Sequence, residues 1–114
     1  MSVRLRLSAY GTDETLLRKQ VDDEVEKLLQ LIPGNVYGFD NDTLADVIGR
    51  LLKAEGKTMA VAESCTGGFI SHQITSVPGC SEYFKGSVIA YSNSAKENVL
   101  GISAKSLEEF GAVS

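Results

Sequence analysis

Between an apolar run ending at Ala62 and the pair Phe69-Ile70 lies Glu63-Ser64-Cys65-Thr66-Gly67-Gly68, where three consecutive side chains carry a hydroxyl or a thiol. Small residues that join a buried strand to a helix leave unpaired backbone N–H groups at the helix mouth, and the helix dipole favours negative charge there. The two glycines let the backbone approach a ligand closely. Two kinds of chemistry fit such a loop. It presents a nucleophile whose oxyanion is held by local N–H groups, or it cradles a phosphate. An ordinary capped strand–helix turn accounts for the same residues without chemistry, and spacing alone does not choose. The stretch matches neither G-x-x-x-x-G-K-[ST] nor G-x-G-x-x-G nor G-x-S-x-G. It is not S-x-x-K either, since Gly67 stands three residues after Ser64.

A serine nucleophile needs a base. The one histidine, His72, lies seven residues past Cys65 on the helix expected there, about 10 Å along the axis at about 1.5 Å per residue. That is too far for a hydrogen bond to a serine at the helix start, so a Ser-His-Asp triad is disfavoured and His72 is read as a surface residue. Lysine is the next candidate, and the second half of the chain holds Lys57, Lys85, Lys96 and Lys105. Lys96 follows Tyr91-Ser92-Asn93 at the end of a second apolar strand. If the two strands are parallel neighbours, Ser64 and Tyr91–Lys96 meet at the sheet edge where open α/β sheets hold their ligands. A lysine acting as a base near neutral pH must fall from about 10.4 to about 7–8, and partial burial supplies such a shift. The plainer alternative is a solvated lysine paired with Glu97 or Glu63. A thiol variant with Cys65 as nucleophile is a further one. Otherwise Cys65 and Cys80 are read as small apolar side chains; with His72 they form C-x6-H-x7-C, which fits no standard zinc pattern.

The elements that must position these residues are legible from periodicity. Val3, Leu5, Leu7 and Ala9 alternate with polar residues, which predicts a strand ending at Gly11. Thr12 is expected to cap a helix carrying Leu17, Val21, Val25, Leu28, Leu29 and Ile32, stopped by Pro33-Gly34. A brief strand-like stretch, Asn35 to Phe39, follows. Leu44, Val47, Ile48, Leu51 and Leu52 then form one apolar stripe of a helix, capped at Asp42 or Thr43 and ended by Gly56. Thr58 to Ala62 reads as a buried strand, Phe69 to Val77 as a helix ending at Pro78-Gly79, and Gly86 to Ser92 as a second strand. Helical stretches are expected over 94–100 and 103–110. Helix, strand, helix, strand, helix is the layered α/β pattern. Residues 1–39 hold too little to close a core alone and read as a fragment or appendage. The last residues, FGAVS, lead to the expectation that the chain stops inside a domain.

Composition narrows the function classes. Of 114 residues, 43% are hydrophobic and 23% charged, as in an average globular protein. Eleven basic against fifteen acidic side chains give a net charge of −4, and neither side of Gly56 is basic. A general nucleic-acid surface, which needs clustered Lys and Arg, is therefore disfavoured. No run approaches the roughly 18 apolar residues of a membrane span, and the start lacks the apolar core of a signal peptide. A soluble cytoplasmic protein is the simplest reading.

AESCTGG, then VPGCSEYFKGSVIAYSNSAKENVLGI, then a segment ending FGAVS, resembles the C-terminal domain of the CinA (competence/damage-inducible) family, which also occurs alone as the nicotinamide-nucleotide amidohydrolases. Residues 40–114 correspond to the N-terminal part of that domain. Residues 1–39 are similar to the end of a KH-like middle region with a linker strand. The resemblance implies an α/β fold with helices on a mixed or parallel sheet, preceded by an α+β KH-like fragment. It implies hydrolysis of the amide of nicotinamide mononucleotide to nicotinic acid mononucleotide and ammonia, without metal or cofactor. Ser64 then resembles the nucleophile, Lys96 the general base and Tyr91 an active-site partner. Thr66, Gly67 and Gly68 are expected to offer oxyanion or substrate contacts through their N–H groups, and Asn93 a substrate contact. The expected partners are a small nucleotide substrate and a second copy in a homodimer. The family domain continues past FGAVS with a further glycine-rich loop, so reduced activity of this piece is an expectation. The alternative is a nucleotide- or phosphate-binding assembly module without catalysis. An RNA-binding role is disfavoured, since no GXXG loop is present.

Overall fold

The computed structural model describes residues 3–113. The chain forms two compact units, residues 1–40 and 41–114.

The first unit is built on one helix, α1 (Glu14–Leu31). Its cap is Asp13 and not Thr12: the Asp13 carboxylate accepts the Leu16 N–H at 3.0 Å. Leu17, Val21, Val25, Leu28 and Leu29 are half-buried along one side, as their spacing predicts. The strands expected over Val3–Ala9 and Asn35–Phe39 do not form; both stretches are irregular. Alternation prepares a chain for pairing, but an isolated strand has no ladder to hold it. The described part of this unit is therefore helical, where an α+β fragment was expected.

The second unit has the expected α/β order. It runs α2 (Leu44–Ala54), β1 (Met59–Glu63), α3 (Phe69–Thr75), a 3-10 turn (Cys80–Glu82), β2 (Phe84–Ile89), α4 (Asn93–Leu100) and α5 (Ala104–Phe110). Thr43 opens α2 with a reciprocal capping box: its hydroxyl accepts the Asp46 N–H, and the Asp46 carboxylate accepts the Thr43 N–H. The Thr43 hydroxyl and N–H hold the Asp46 carboxyl below the usual carboxylate range. Gly56, at φ +60°, supplies the left-handed exit.

The buried face of α2 is not centred on the leucines. Ala45 and Gly49 are its buried residues, whereas Leu44 and Leu51 are exposed. The reason is Tyr83, 1% exposed. A Cβ at Gly49 would stand 2.5 Å from the Tyr83 hydroxyl and 2.8 Å from its ring carbon Cζ. Only a glycine lets the ring lie against the helix. Lys53 of α2 pairs with Glu82 at 2.7 Å beside the same ring.

Strands β1 and β2 pair in parallel, with Ala60 opposite Gly86 and Glu63 opposite Ile89 after an irregularity near Met59. Two further bonds extend the ladder: Met59 N–H to Tyr83 O, and Ala90 N–H to Glu63 O, both 2.8 Å. Helix α3 packs on both strands and on α2, and Ile74, Tyr83 and Ala90 are buried. β1 was expected to be buried throughout, yet Ala60 and Ala62 are exposed. Among the described residues the sheet has two strands, so one set of alternate side chains lacks a covering layer.

Candidate active site

Parallel pairing sends both strands toward the same edge. Glu63 ends β1 opposite Ile89, so the 64–68 loop and the segment beginning at Tyr91 leave from adjacent strand ends. The sequence pattern anticipates this arrangement for Ser64 and Lys96.

On the β1 side, Ser64 is half-buried, while Cys65, Thr66 and Gly67 are exposed. The loop is a tight double turn. Gly67 donates its N–H to Ser64 O and Phe69 donates its N–H to Thr66 O, both at 3.0 Å. Gly67 and Gly68 take φ of +59° and +98°, backbone that favours glycine. A Cβ at Gly68 would also come within 2.8 Å of Ile89 Cδ1.

Gly68 precedes α3 without a side chain to cap it; the cap comes from Glu63. One carboxylate oxygen, Oε2, accepts the N–H groups of Gly68 and Ile70, each at 3.0 Å. The other, Oε1, accepts the Ser71 N–H at 2.9 Å and also the Ser71 hydroxyl. Glu63 is 3% exposed. Burial pushes its carboxyl upward, but the Ser71 hydroxyl and N–H, the Thr66 hydroxyl and the Ile70 N–H outweigh burial and hold it at about 2. Sequence reasoning considered Glu63 only as a partner for Lys96. The available signal was a carboxylate at the end of an apolar strand just before a helix start that has no capping side chain.

On the β2 side, Ser92 caps α4 by accepting the Ala95 N–H. Lys96 falls one turn into this helix and is 6% exposed. Its Nζ donates to Tyr91 O at 2.8 Å. Neither Glu63 nor Glu97 pairs with it, so the solvated, ion-paired alternative is overturned: among the described residues no carboxylate forms an ion pair with Lys96. Gly101 and Ile102 close α4 by donating their N–H groups to the Glu97 and Lys96 carbonyls.

The other expected residues divide. The Tyr91 side chain is 71% exposed, and the residue meets Lys96 through its carbonyl. Asn93 is exposed at the first position of α4. No hydrogen bond joins Ser64 to Lys96 among the described residues. The N–H groups of Gly67 and Gly68, expected to face a ligand, are engaged within the loop. The loop N–H groups left without an acceptor among the described residues are those of Ser64, Cys65 and Thr66. His72 is exposed, and Cys65 and Cys80 are free thiols.

These features define a layered α/β domain in which the 64–68 loop and the segment from Tyr91 to Lys96 leave the carboxyl ends of two parallel strands. Residues 41–114 match the family model described as the CinA C-terminal domain, and the chain belongs to the CinA family. It is 49% identical over 113 residues to a CinA-like protein of Flavobacterium psychrophilum, covering 98% of this chain and 27% of that protein. A CinA-like protein of Cytophaga hutchinsonii is 46% identical over 112 residues, with the same shares covered. The chain thus spans 27% of the length of these curated relatives. Among solved structures, competence/damage inducible protein CihA from Agrobacterium tumefaciens matches with a TM-score of 0.62 at 35% identity, over 69% of this chain and 48% of that one. Competence damage-inducible protein A from Klebsiella pneumoniae matches at 0.58 and 34% identity, over 59% and 42%. Among the described residues, no helix is long and apolar enough to cross a membrane.

Proposed function

We propose that this chain carries the nucleophile and base of an amidohydrolase that converts nicotinamide mononucleotide to nicotinic acid mononucleotide and ammonia. The observation that carries the reading is Lys96: a buried amine without a carboxylate partner, on the segment that leaves β2 beside the end of β1. A lysine paired with an acid is committed to its charge. One held by a single carbonyl keeps donor positions open to a further partner.

In this mechanism the Ser64 oxygen attacks the amide carbon while Lys96 takes its proton. The developing oxyanion is met by the unclaimed N–H groups of the 64–66 turn. Lys96 then returns the proton to the departing nitrogen, releasing ammonia and leaving an ester on Ser64. Water, deprotonated by the same amine, hydrolyses that ester.

Replacing Ser64 with Ala tests the reading. Ammonia release should be lost while affinity for nicotinamide mononucleotide is kept. A variant that first loses affinity would favour a binding module instead.

A further inference from the structure

We propose that Glu63 is a positioning residue that fills the anion seat at the start of α3 with the protein's own carboxylate, turning the charged end of a ligand away from this loop. The inference rests on the amidohydrolase reading and adds a constraint on how substrate lies. In that constraint, the neutral amide meets Ser64 and the phosphate is bound elsewhere.

The donor set is what a phosphate would seek at a strand–helix junction: convergent backbone N–H groups and a hydroxyl. Here all of them are spent inward. Gly68 and Ile70 donate to Oε2, and Ser71 donates twice to Oε1. Four donors saturate the roughly four lone-pair sites of a carboxylate. The group is 3% exposed and its charge persists, since the Ser71 hydroxyl and N–H, the Thr66 hydroxyl and the Ile70 N–H outweigh burial and hold it at about 2. A second anion at the mouth of α3 would find none of these donors free and a charged neighbour.

The same contacts fix Ser64. Glu63 is gripped at its side chain by α3 and at its carbonyl by the Ala90 N–H, 2.8 Å away on the far side of the ladder. Ser64, the next residue, is thereby set against the end of β2, which leads to Tyr91 and Lys96. The carboxylate takes no part in proton transfer. It acts by holding the nucleophile's backbone in place.

Glu63→Gln, measured in the intact protein, is the test. An amide supplies one acceptor where the site needs two, so at least one of the Gly68, Ile70 or Ser71 N–H groups faces another N–H. We expect kcat for ammonia release to fall by about 100-fold, as for a misplacement of about 1 Å, with KM nearly unchanged. Amide exchange at Gly68 and Ile70 should accelerate. Inorganic phosphate should leave the Gly68, Ile70 and Ser71 amide resonances of the unaltered protein unmoved. Wild-type kcat in folded Glu63→Gln, with Ser64→Ala inactive, overturns the inference and leaves the hydrolase reading standing. Phosphate shifts at those amides overturn it too. Full turnover by Ser64→Ala overturns the reading and the inference together. If Glu63→Gln does not fold, Ser71→Ala carries the test: kcat reduced several-fold at constant KM supports the inference, and unchanged kcat overturns it.

Discussion

Lys96 and Glu63 are both buried ionisable residues with opposite surroundings, and the proposed mechanism gives them opposite tasks. Among the described residues Lys96 has one carbonyl partner, that of Tyr91, and keeps capacity for another contact. Glu63 has none left. Lys96→Met preserves most of the side-chain volume and removes the amine, so we expect turnover to fall by about 100- to 10,000-fold, the usual worth of a general base, with circular dichroism unchanged. Turnover within a few fold of wild type would remove Lys96 from the mechanism. Glu63 predicts a pH effect on stability. Its carboxyl lies at about 2 when folded, against an ordinary value of 4.5. A depressed folded value contributes stability that is fully present above about 4.5 and lost as pH falls toward 2. Acid titration of thermal stability should show a loss in that window, and Glu63→Gln should lack this component.

The helix and strand patterns of the second unit were legible because each element carries its own stop and start. Thr43 and Gly56 bracket α2, and Pro78-Gly79 follows α3. What could not be read were features that depend on a partner. Val3–Ala9 alternates as a strand would, but alternation does not supply a neighbouring ladder. The stripe on α2 named its leucines, yet the contact uses Ala45 and Gly49, because a tyrosine 34 positions beyond Gly49 needs the space. Ser64 and Lys96 were singled out from spacing and resemblance. Glu63 as a cap was missed, because it reaches residues five to eight positions ahead, beyond any local capping pattern. The Gly49 contact gives a test at this scale. Gly49→Ala should destabilise the second unit by about 1–3 kcal/mol through overpacking, read by chemical denaturation. The nearest clash is with a hydroxyl that has no hydrogen-bond partner among the described residues. The same change in a Tyr83→Phe background should therefore cost less, and equal costs would mean that the hydroxyl is not the obstacle.

At the scale of the whole molecule, the balance between buried and open apolar surface decides what these residues can do on their own. Among the described residues the buried apolar ones are few: two alanines, Ala45 and Ala90, with Ile74 and Tyr83. Phe69, Val88, Ile89 and Val99 of the second unit remain exposed, and the first unit has no buried residue in its helix. Apolar burial is the main favourable contribution to folding, at about 25 cal/mol per Å², so a polypeptide of these 114 residues should be marginally stable. We expect a shallow denaturant transition, because the slope follows the surface newly exposed on unfolding, together with binding of an apolar dye. The Agrobacterium protein is about twice as long as the region it shares with this chain, 48% of it being covered. A protein extended to that length should unfold more steeply and, on the proposed mechanism, release ammonia from nicotinamide mononucleotide faster. Phe69 lies in sequence between the cap donors Gly68 and Ile70, and Ile89 pairs with Glu63, so covering both would steady the Glu63 cap and hold Ser64 in place. Equal slopes and equal rates for the two lengths would show that the exposed face contributes nothing to either stability or catalysis.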